Sequence, residues 1–254
     1  MARRAFVDDD RLAGATVAAT IILPEAVSHR LRRVLRLGDD AVVELFDESG
    51  HVVRGRLQGE GLVVDHVDVM DDALPPLIVL QAITKADKLE LVLQKATELG
   101  ASRVVLFPAR RSQIKLGGKG ADDDRADKKL VRFERIAQDA ARQCGRARPP
   151  VVEAVKDTAA ALAVCRAVVD NGGVAVAGVV DAEHTLSGFL AGAKARLSHG
   201  VVVVVGPEGG LDPAEQQAFA DVGVTPVRWS RFVLRTETAG LAALAIVQAA
   251  LDEA

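Results

Sequence analysis

Hydrophobic positions change their spacing partway along the chain. Up to about residue 72, short apolar runs such as Val52–Leu57 and Gly61–Val69 recur, and turn sequences rich in Gly, Asp and Glu separate them. Short strands at this spacing are typical of a small barrel or sandwich. One helix is expected among them, from about Pro24 to Leu37, with Pro24 near its first turn and Gly38 just past its end.

Beyond the proline pair at 75–76, β-branched apolar runs alternate with helical segments. Val201–Val205 is a run of five valines of the kind found in buried parallel strands. Asp87–Leu99 is expected to be a helix, and Asp212 is expected to cap another one, with Pro213 in its first turn. The alternation predicts an α/β fold with a mostly parallel sheet covered by helices. The break predicts two domains, residues 1–72 and 73–254.

Charge is distributed unevenly along the chain. The 254 residues carry a net charge of −3, which excludes binding to a polyanion through overall charge. Residues 1–72 have 9 Lys and Arg against 14 Asp and Glu, a net of −5, whereas residues 102–150 have 13 against 6, a net of +7. A basic surface for a nucleic acid must therefore be local.

Five arginines are candidate contacts to RNA phosphates. Arg32, Arg33 and Arg36 belong to a cluster in the first region, where the four-residue spacing of Arg32 and Arg36 predicts a shared helix face. Arg111 and Arg146 lie in the two basic clusters of residues 102–150. The alternative for the first cluster is a solvated helix face, and cations at a helix end also favour the helix dipole.

Several classes of site and location are not expected. The two cysteines form no CxxC pair and the five histidines show no ligand spacing, so neither a metal site nor a disulfide framework is predicted. The N-terminal residues show no apolar stretch of the signal-peptide kind, and the apolar runs are too short to span a bilayer. The expected location is the cytoplasm.

Two polar motifs follow predicted strands near the end of the chain. Residues 201–212 place a buried strand before the glycine-rich sequence GPEGGL, where glycines allow a ligand to approach the backbone; an ordinary tight loop is the alternative. Residues 231–240 read RFVLRTETAG, and Thr236 or Thr238 is expected to cap a helix. Arg235 and Glu237 are more polar chemistry than a cap needs.

These two motifs resemble the signature of the 16S rRNA uracil-N3 methyltransferase family, a group of SPOUT enzymes. Residues 88–100, with the sequence KLELVLQKATELG, resemble a helix of that family, and residues 143–146, with QCGR, resemble a third segment. The four segments occur in the family's order. The chain departs from the family at Ser230, where glycine is usual, at Phe232, where arginine is usual, and at Arg142, where glutamate is usual.

The resemblance implies a fold and an activity. The second region would be a SPOUT domain with a trefoil knot, and the first would be a PUA-like β-barrel that helps to hold RNA. The activity would be methylation of a uridine at N3 in 16S rRNA of the small ribosomal subunit, with S-adenosylmethionine as the methyl donor. The enzyme would be a homodimer with its sites near the subunit interface.

The resemblance also implies roles for individual residues. Arg235 would stabilise the negative charge that develops on the uracil oxygens, and Glu237 would accept the N3 proton or hold Arg235 in place. The residues expected to bind the cofactor lie in three loops and are Val180, Gly206, Glu208, Gly209, Gly210, Ser230, Val233, Leu234 and Thr236. Two alternatives remain open at this point: a SPOUT methyltransferase acting on another RNA position, and a non-catalytic RNA-binding assembly factor. A third, an α/β enzyme acting on a small molecule, is disfavoured by the β-rich first region and by the net charge of +7 over residues 102–150.

Overall fold

The computed structural model describes residues 3–69, 75–112 and 123–252, with the backbone alone for 123–126. It contains two compact units. The first comprises residues 1–73 together with 141–149, and the second comprises residues 74–140 and 150–254. The predicted boundary at residues 72–73 and the basic residues 113–115 lie outside the described ranges.

The first unit is built on a five-stranded mixed sheet. Its strands, in chain order β1 to β5, are Arg3–Phe6, Thr20–Ile22, Val42–Phe46, His51–Gln58 and Gly61–Val69. The spatial order is β1-β3-β4-β5-β2; β1 pairs with β3 in parallel and the other pairs are antiparallel. Fully buried leucines such as Leu45, Leu57 and Leu62 form its core.

The helix expected from Pro24 to Leu37 is shorter than predicted. Helix α1 spans Glu25–His29 and continues as one π-helical turn over Arg30–Val34. Arg36 lies beyond this turn in the left-handed region, with φ of 53°. The prediction that Arg32 and Arg36 share a helix face is therefore wrong, because the helix ends before its second member.

Within the first unit, two arginines connect the segment 141–149 to β1. The Arg4 guanidinium donates a hydrogen bond to the carbonyl of Gly145 (3.1 Å), and its Nε lies 2.6 Å from a carboxylate oxygen of Glu44. The Arg142 guanidinium lies 4.4 Å from the centroid of the Phe6 ring, within the range of a cation–π contact. These contacts attach the QCGR segment to β1.

The second unit contains a six-stranded sheet that is parallel throughout. Its strands β6 to β11 are Leu77–Ala82, Arg103–Phe107, Val151–Ala154, Val174–Gly178, Val201–Val205 and Val224–Val227. Their spatial order is β11-β9-β10-β6-β7-β8. Helices α2 to α8 are Ala86–Glu98, Asp123–Cys144, Thr158–Asp170, Leu186–Gly192, Lys194–Leu197, Pro213–Asp221 and Thr236–Asp252. The prediction of an α/β fold with a mostly parallel sheet is confirmed.

Both faces of this sheet are covered, which explains the unbroken apolar strands. Every residue of β10 is buried, with side chains alternating between two separate core clusters. Asp212 caps α7 as predicted: its side chain accepts from the backbone of Ala214, and Glu215 completes the capping box by accepting from the backbone of Asp212 (3.0 Å). Within the described ranges, no helix is both long and apolar enough to cross a membrane.

Candidate active site

A cavity of about 580 Å³ lies at the carboxyl ends of β9, β10 and β11. These strands are adjacent and parallel, so the loops that follow them meet at one edge of the sheet. The volume is in the range of small-molecule sites. The lining residues are Gly178–Val180, Gly206–Gly210, Arg228–Ser230 and Phe232–Thr236, together with Lys88, Val205, Val227 and Ala239.

Glycines bring the loop backbones close together. A Cβ on Gly178 would collide with the indole ring of Trp229, so the strand end and the third loop can pack only without a side chain there. A Cβ on Gly206 would lie 3.0 Å from the backbone nitrogen of Leu211. Gly210 has φ of 69°, a backbone conformation that residues other than glycine rarely adopt. Cavity shape therefore depends on glycine at these positions.

A lysine from α2 joins two carboxylates beside the cavity. Lys88 Nζ lies 2.9 Å from Glu208 Oε1, in the loop after β10, and 3.3 Å from Glu237 Oε2, in the first turn of α8. Thr84 donates its hydroxyl hydrogen to the same oxygen of Glu208. Glu237 is buried, being 9% exposed. The two ion pairs of Lys88 thus connect helix α2, the loop after β10 and the start of α8, which are separate segments of the sequence.

The cluster keeps both partners of its main ion pair charged. Burial is the largest single influence on Glu208 and opposes its ionisation, but hydrogen bonds from Thr84 and Lys88 outweigh it and lower the pKa to about 2. The hydrogen bond to Glu208 raises the pKa of Lys88 above its ordinary value. A carboxylate of such low pKa is a poor proton acceptor at neutral pH, so Glu208 is suited to binding rather than to base catalysis.

Thr236 is held by two hydrogen bonds at the wall of the cavity. Its hydroxyl accepts a hydrogen bond from Gln81 Nε2 (3.0 Å) and donates one to the carbonyl of Gly206 (2.7 Å). Thr236 is buried. The hydroxyl hydrogen of Thr236 is therefore donated inside the protein, and the two bonds fix the side chain at the cavity wall.

All nine residues predicted to bind the cofactor line this one cavity. Val180 and Val233 are 57% and 78% exposed, whereas Leu234 is half-buried. Ser230, at the position where the family has glycine, accepts a hydrogen bond from the backbone of Phe232 (3.0 Å) and so fixes the turn. Phe232 is 80% exposed. The loop keeps a defined conformation despite the departure.

The two predicted catalytic residues are separated by only one residue in the sequence but lie in different surroundings. Arg235 is exposed and lines the cavity, and its guanidinium makes no hydrogen bond or ion pair with the residues that the structure describes. Glu237 is buried and pairs with Lys88. Among the described contacts, none joins Glu237 to Arg235, so the alternative in which Glu237 holds Arg235 in place has no support.

The predicted RNA contacts are divided between the two units. In the first unit, Arg32 donates to the carbonyls of Leu37 (3.3 Å) and Gly59 (2.6 Å) and to Asp39 (2.7 Å), so it stabilises a turn. Arg33 is exposed. Arg36 is also exposed, and Arg146 is half-buried in the segment that packs on this unit.

Arg111 belongs to the second unit and reaches the cavity loop. Its guanidinium donates to the carbonyl of Gly209 (2.9 Å), and its side-chain carbons lie 3.4 Å from where a Cβ of Gly209 would be. Arg111 was selected as an RNA contact because of its basic neighbours. Its hydrogen bond to Gly209 also stabilises the GPEGGL loop.

Sequence reasoning missed three polar residues at this site: Gln81, Thr84 and Lys88. Gln81 and Thr84 interrupt the apolar run of residues 77–84 at the end where strand β6 stops, which was a usable signal. Lys88 was noted as the first residue of a family-like helix, without a role. Within the described ranges, no group of three metal-ligating side chains occurs.

Comparisons with known proteins identify the family of this chain. The model of the RNA methyltransferase domain family matches residues 72–248. A protein of Bacillus subtilis named ribosomal RNA small subunit methyltransferase E is 30% identical over 228 residues, which cover 86% of each chain. A protein of the same name from Mycobacterium bovis is 35% identical over 173 residues, covering 68% of this chain. The match spans 63% of the length of that mycobacterial relative.

Solved structures resemble the whole chain. A ribosomal RNA small subunit methyltransferase E from Neisseria gonorrhoeae, bound to S-adenosyl methionine, superposes with a TM-score of 0.76 at 27% identity and covers 98% of both chains. A Thermotoga maritima protein described as a predicted RNA methyltransferase shares the fold, with a TM-score of 0.61 at 22% identity. The family model matches more than half of the residues of this chain, and the chain therefore belongs to the RNA methyltransferase domain family.

Proposed function

We propose that this protein transfers a methyl group from S-adenosylmethionine to N3 of a uridine in 16S rRNA of the small ribosomal subunit. The observation that carries the proposal is the cavity formed by the three loops after β9, β10 and β11, which gathers all nine residues selected for cofactor binding. The gonococcal relative, similar over 98% of its chain, has S-adenosyl methionine bound. The names of the relatives support rRNA of the small subunit as the substrate class.

The residues present suit this cofactor. Two carboxylates, Glu208 and Glu237, face one ammonium group, Lys88, so the cluster has an excess of negative groups that suits a sulfonium cation. Val233 and Leu234 offer an apolar surface for adenine, and the close-packed backbone of the glycine loop offers polar groups for the ribose. When bound, S-adenosylmethionine supplies an electrophilic methyl group.

The exposed Arg235 faces the acceptor in this proposal. The uracil N3 is an imide N–H that must lose its proton, and the negative charge then spreads to the flanking carbonyl oxygens. The guanidinium of Arg235 stabilises that charge. Glu237 is the proposed proton acceptor, since Glu208 is too weak a base. N3 lies on the Watson–Crick edge, so a paired uridine must first be exposed.

The finer features of the fold belong to the same proposal. The second unit is proposed to be a SPOUT domain with a trefoil knot, and the first unit is proposed to be a PUA-like domain that contributes Arg33 and Arg36 to RNA binding. Arg111 and Arg146 are proposed as further contacts to RNA. The division into domains at residues 72–73, a homodimeric assembly and a cytoplasmic location complete it. The motif resemblance supports these features.

Binding and transfer of the methyl group test the proposal separately. Calorimetry of the full chain with S-adenosylmethionine tests the cavity, and transfer of a labelled methyl group to small ribosomal subunits tests the substrate class. Binding together with label in 16S rRNA is the expected result. Binding with label in another RNA would move the protein to a different RNA substrate, and no binding would contradict the enzymatic proposal.

A further inference from the structure

Gln81 is a polar side chain in the middle of an apolar sheet. It lies near the carboxyl end of β6, level with Val205 of β10 and Leu106 of β7. Its exposed fraction is 0%. Burying an amide in such surroundings is unfavourable unless its hydrogen bonds are made inside the protein. Packing alone therefore does not explain glutamine at this position.

The amide nitrogen of Gln81 begins a directed chain of hydrogen bonds. Nε2 donates to the carbonyl of Ala82 (3.0 Å) and to Oγ1 of Thr236 (3.0 Å). Because the Thr236 hydroxyl accepts that bond, its single hydrogen is free to be donated to the carbonyl of Gly206 (2.7 Å). The chain connects β6, the start of α8 and the loop after β10.

The last two members of this hydrogen-bond chain line the cavity, but Gln81 itself does not. Thr236 and Gly206 both line the cavity. Gln81 Oε1 is buried and has no hydrogen-bond partner among the described residues. Among the described residues, the hydrogen bonds of the Gln81 side chain are thus made by its amide nitrogen, and one of them goes to the cavity-lining Thr236.

We infer that Gln81 is a positioning residue of the proposed methyl-transfer site, which holds Thr236, and through it the Gly206 carbonyl, at the cavity wall. The inference rests on the proposed function for the identity of the ligand. The hydrogen-bond chain is a property of the free protein, so it can be tested without a ligand as well.

The first test replaces Gln81 by methionine, which has a similar unbranched length and no donor. We expect S-adenosylmethionine to bind about three- to tenfold more weakly, as for loss of one buried hydrogen bond. Hydrogen exchange should become faster at the amides of Gly210, Thr238 and Ala239, which close the two loops. The melting temperature should stay within about 3 °C of the wild type, because removing the unpaired Oε1 offsets the lost bonds.

A matched control uses another glutamine of the same unit. Gln248 donates to the carbonyl of Leu99 (2.9 Å) and does not line the cavity. Gln248→Met should leave binding and the exchange of the three loop amides unchanged. If it alters them as much as Gln81→Met does, the effect is a general one and the inference is overturned.

The second test changes Thr236, the middle member of the hydrogen-bond chain, and does not depend on whether Gln81→Met folds. Thr236→Val removes the hydroxyl and should reproduce the faster loop exchange, whereas Thr236→Ser keeps the hydroxyl and should not. In the double variant, Gln81→Met should add little to Thr236→Val, because both break one pathway.

The outcomes separate this inference from the proposed function. A wild type that does not bind S-adenosylmethionine contradicts the proposed function, and faster exchange in Gln81→Met would still support the positioning role. Unchanged loop exchange in Gln81→Met and Thr236→Val overturns the positioning role whatever the wild type binds. A melting temperature of Gln81→Met that is lower than that of the wild type by more than about 10 °C also overturns the positioning role, because such a fall shows that Gln81 mainly stabilises the core.

Discussion

Lys88 Nζ lies 2.9 Å from Glu208 Oε1, although 120 positions separate the two residues in the chain. One is in the first turns of α2 and the other is in the glycine-rich loop after β10. The pair therefore fixes that loop relative to a helix on the face of the sheet. Glu237 shares the same ammonium group at 3.3 Å, which brings α8 into the arrangement.

Removing the Lys88 ammonium should impair cofactor binding. Lys88→Met breaks the ion pairs that hold the glycine-rich loop and the start of α8 to α2, so the cavity loses its shape and we expect S-adenosylmethionine to bind about tenfold more weakly or worse. Titration calorimetry provides the measurement. Lys95→Met is the control, because Lys95 is on the same helix and pairs with Glu98 at 2.8 Å, outside the cavity lining. Equal losses in both variants would contradict the role of Lys88.

Stability in acid should depend on Glu208. Its pKa in the folded protein is about 2, below the ordinary 4.5, so its ionised form is favoured by folding. Its contribution to stability is complete above pH 4.5 and is lost as pH falls toward 2. Denaturant unfolding from pH 6 downward should show the advantage of the wild type over Glu208→Gln shrinking.

Thr84→Val provides the companion measurement. It removes one hydrogen-bond donor to Glu208, so the pKa of that carboxyl should rise toward its ordinary value. NMR titration of the Glu208 side chain tests this directly. A pKa that is the same in the variant and the wild type would show that Thr84 is not a cause of the shift.

Arg235 should affect catalysis more than cofactor binding. Arg235→Ala is expected to lower kcat by about 100-fold or more, the range found when one group that stabilises an oxyanion is removed. The Kd for S-adenosylmethionine should change little, because the guanidinium faces the acceptor. Arg231→Ala, in the same loop but outside the cavity lining, is the control and should keep kcat at saturating RNA. Parallel losses in kcat and cofactor affinity would argue for a binding role instead.

Arg32 and Arg33 should differ although they are neighbours. Arg32→Ala breaks bonds to two carbonyls and Asp39, so it should lower the free energy of unfolding by about 1 kcal/mol. Arg33→Ala should leave stability unchanged. It should instead weaken RNA binding and reduce the slope of log affinity against log salt by about 1. Identical behaviour of the two variants would remove Arg33 from the proposed RNA surface.

Gly178→Ala should displace the only tryptophan of the chain. The added methyl group collides with the Trp229 ring, so the third cavity loop must shift. We expect a change in tryptophan emission and weaker binding of S-adenosylmethionine. Gly192→Ala, where a Cβ meets nothing within 4 Å, should change neither. An unaltered emission spectrum in Gly178→Ala would mean that the loop yields without consequence.

The strands and caps that were predicted correctly have local causes. Val201–Val205 forms a buried strand because β-branched residues suit both covered faces of a parallel sheet. Asp212, Pro213 and Glu215 specify a helix start by hydrogen bonds that span only three residues. The cavity loops were located because glycine-rich and polar motifs directly follow such strands.

The features that were missed depend on contacts between distant segments. Arg32 reads as one of four similar arginines, and only the approach of Gly59 and Asp39 reveals its structural role. Lys88 acquires its partners only when β6 and β10 are adjacent. The packing of residues 141–149 on the first unit likewise depends on Arg4, far away in the sequence. Local patterns carry no information on such pairings.

Identifying the nucleoside that this protein produces tests the proposed methylation of uracil N3. Small ribosomal subunits lacking the modification would be incubated with the full chain and S-adenosylmethionine, and the nucleosides of the 16S rRNA would be analysed by mass spectrometry. The proposed function predicts 3-methyluridine, absent from the reaction without cofactor. A different methylated nucleoside would contradict the assignment of uracil N3, and the absence of any methylated product would contradict the enzymatic function itself.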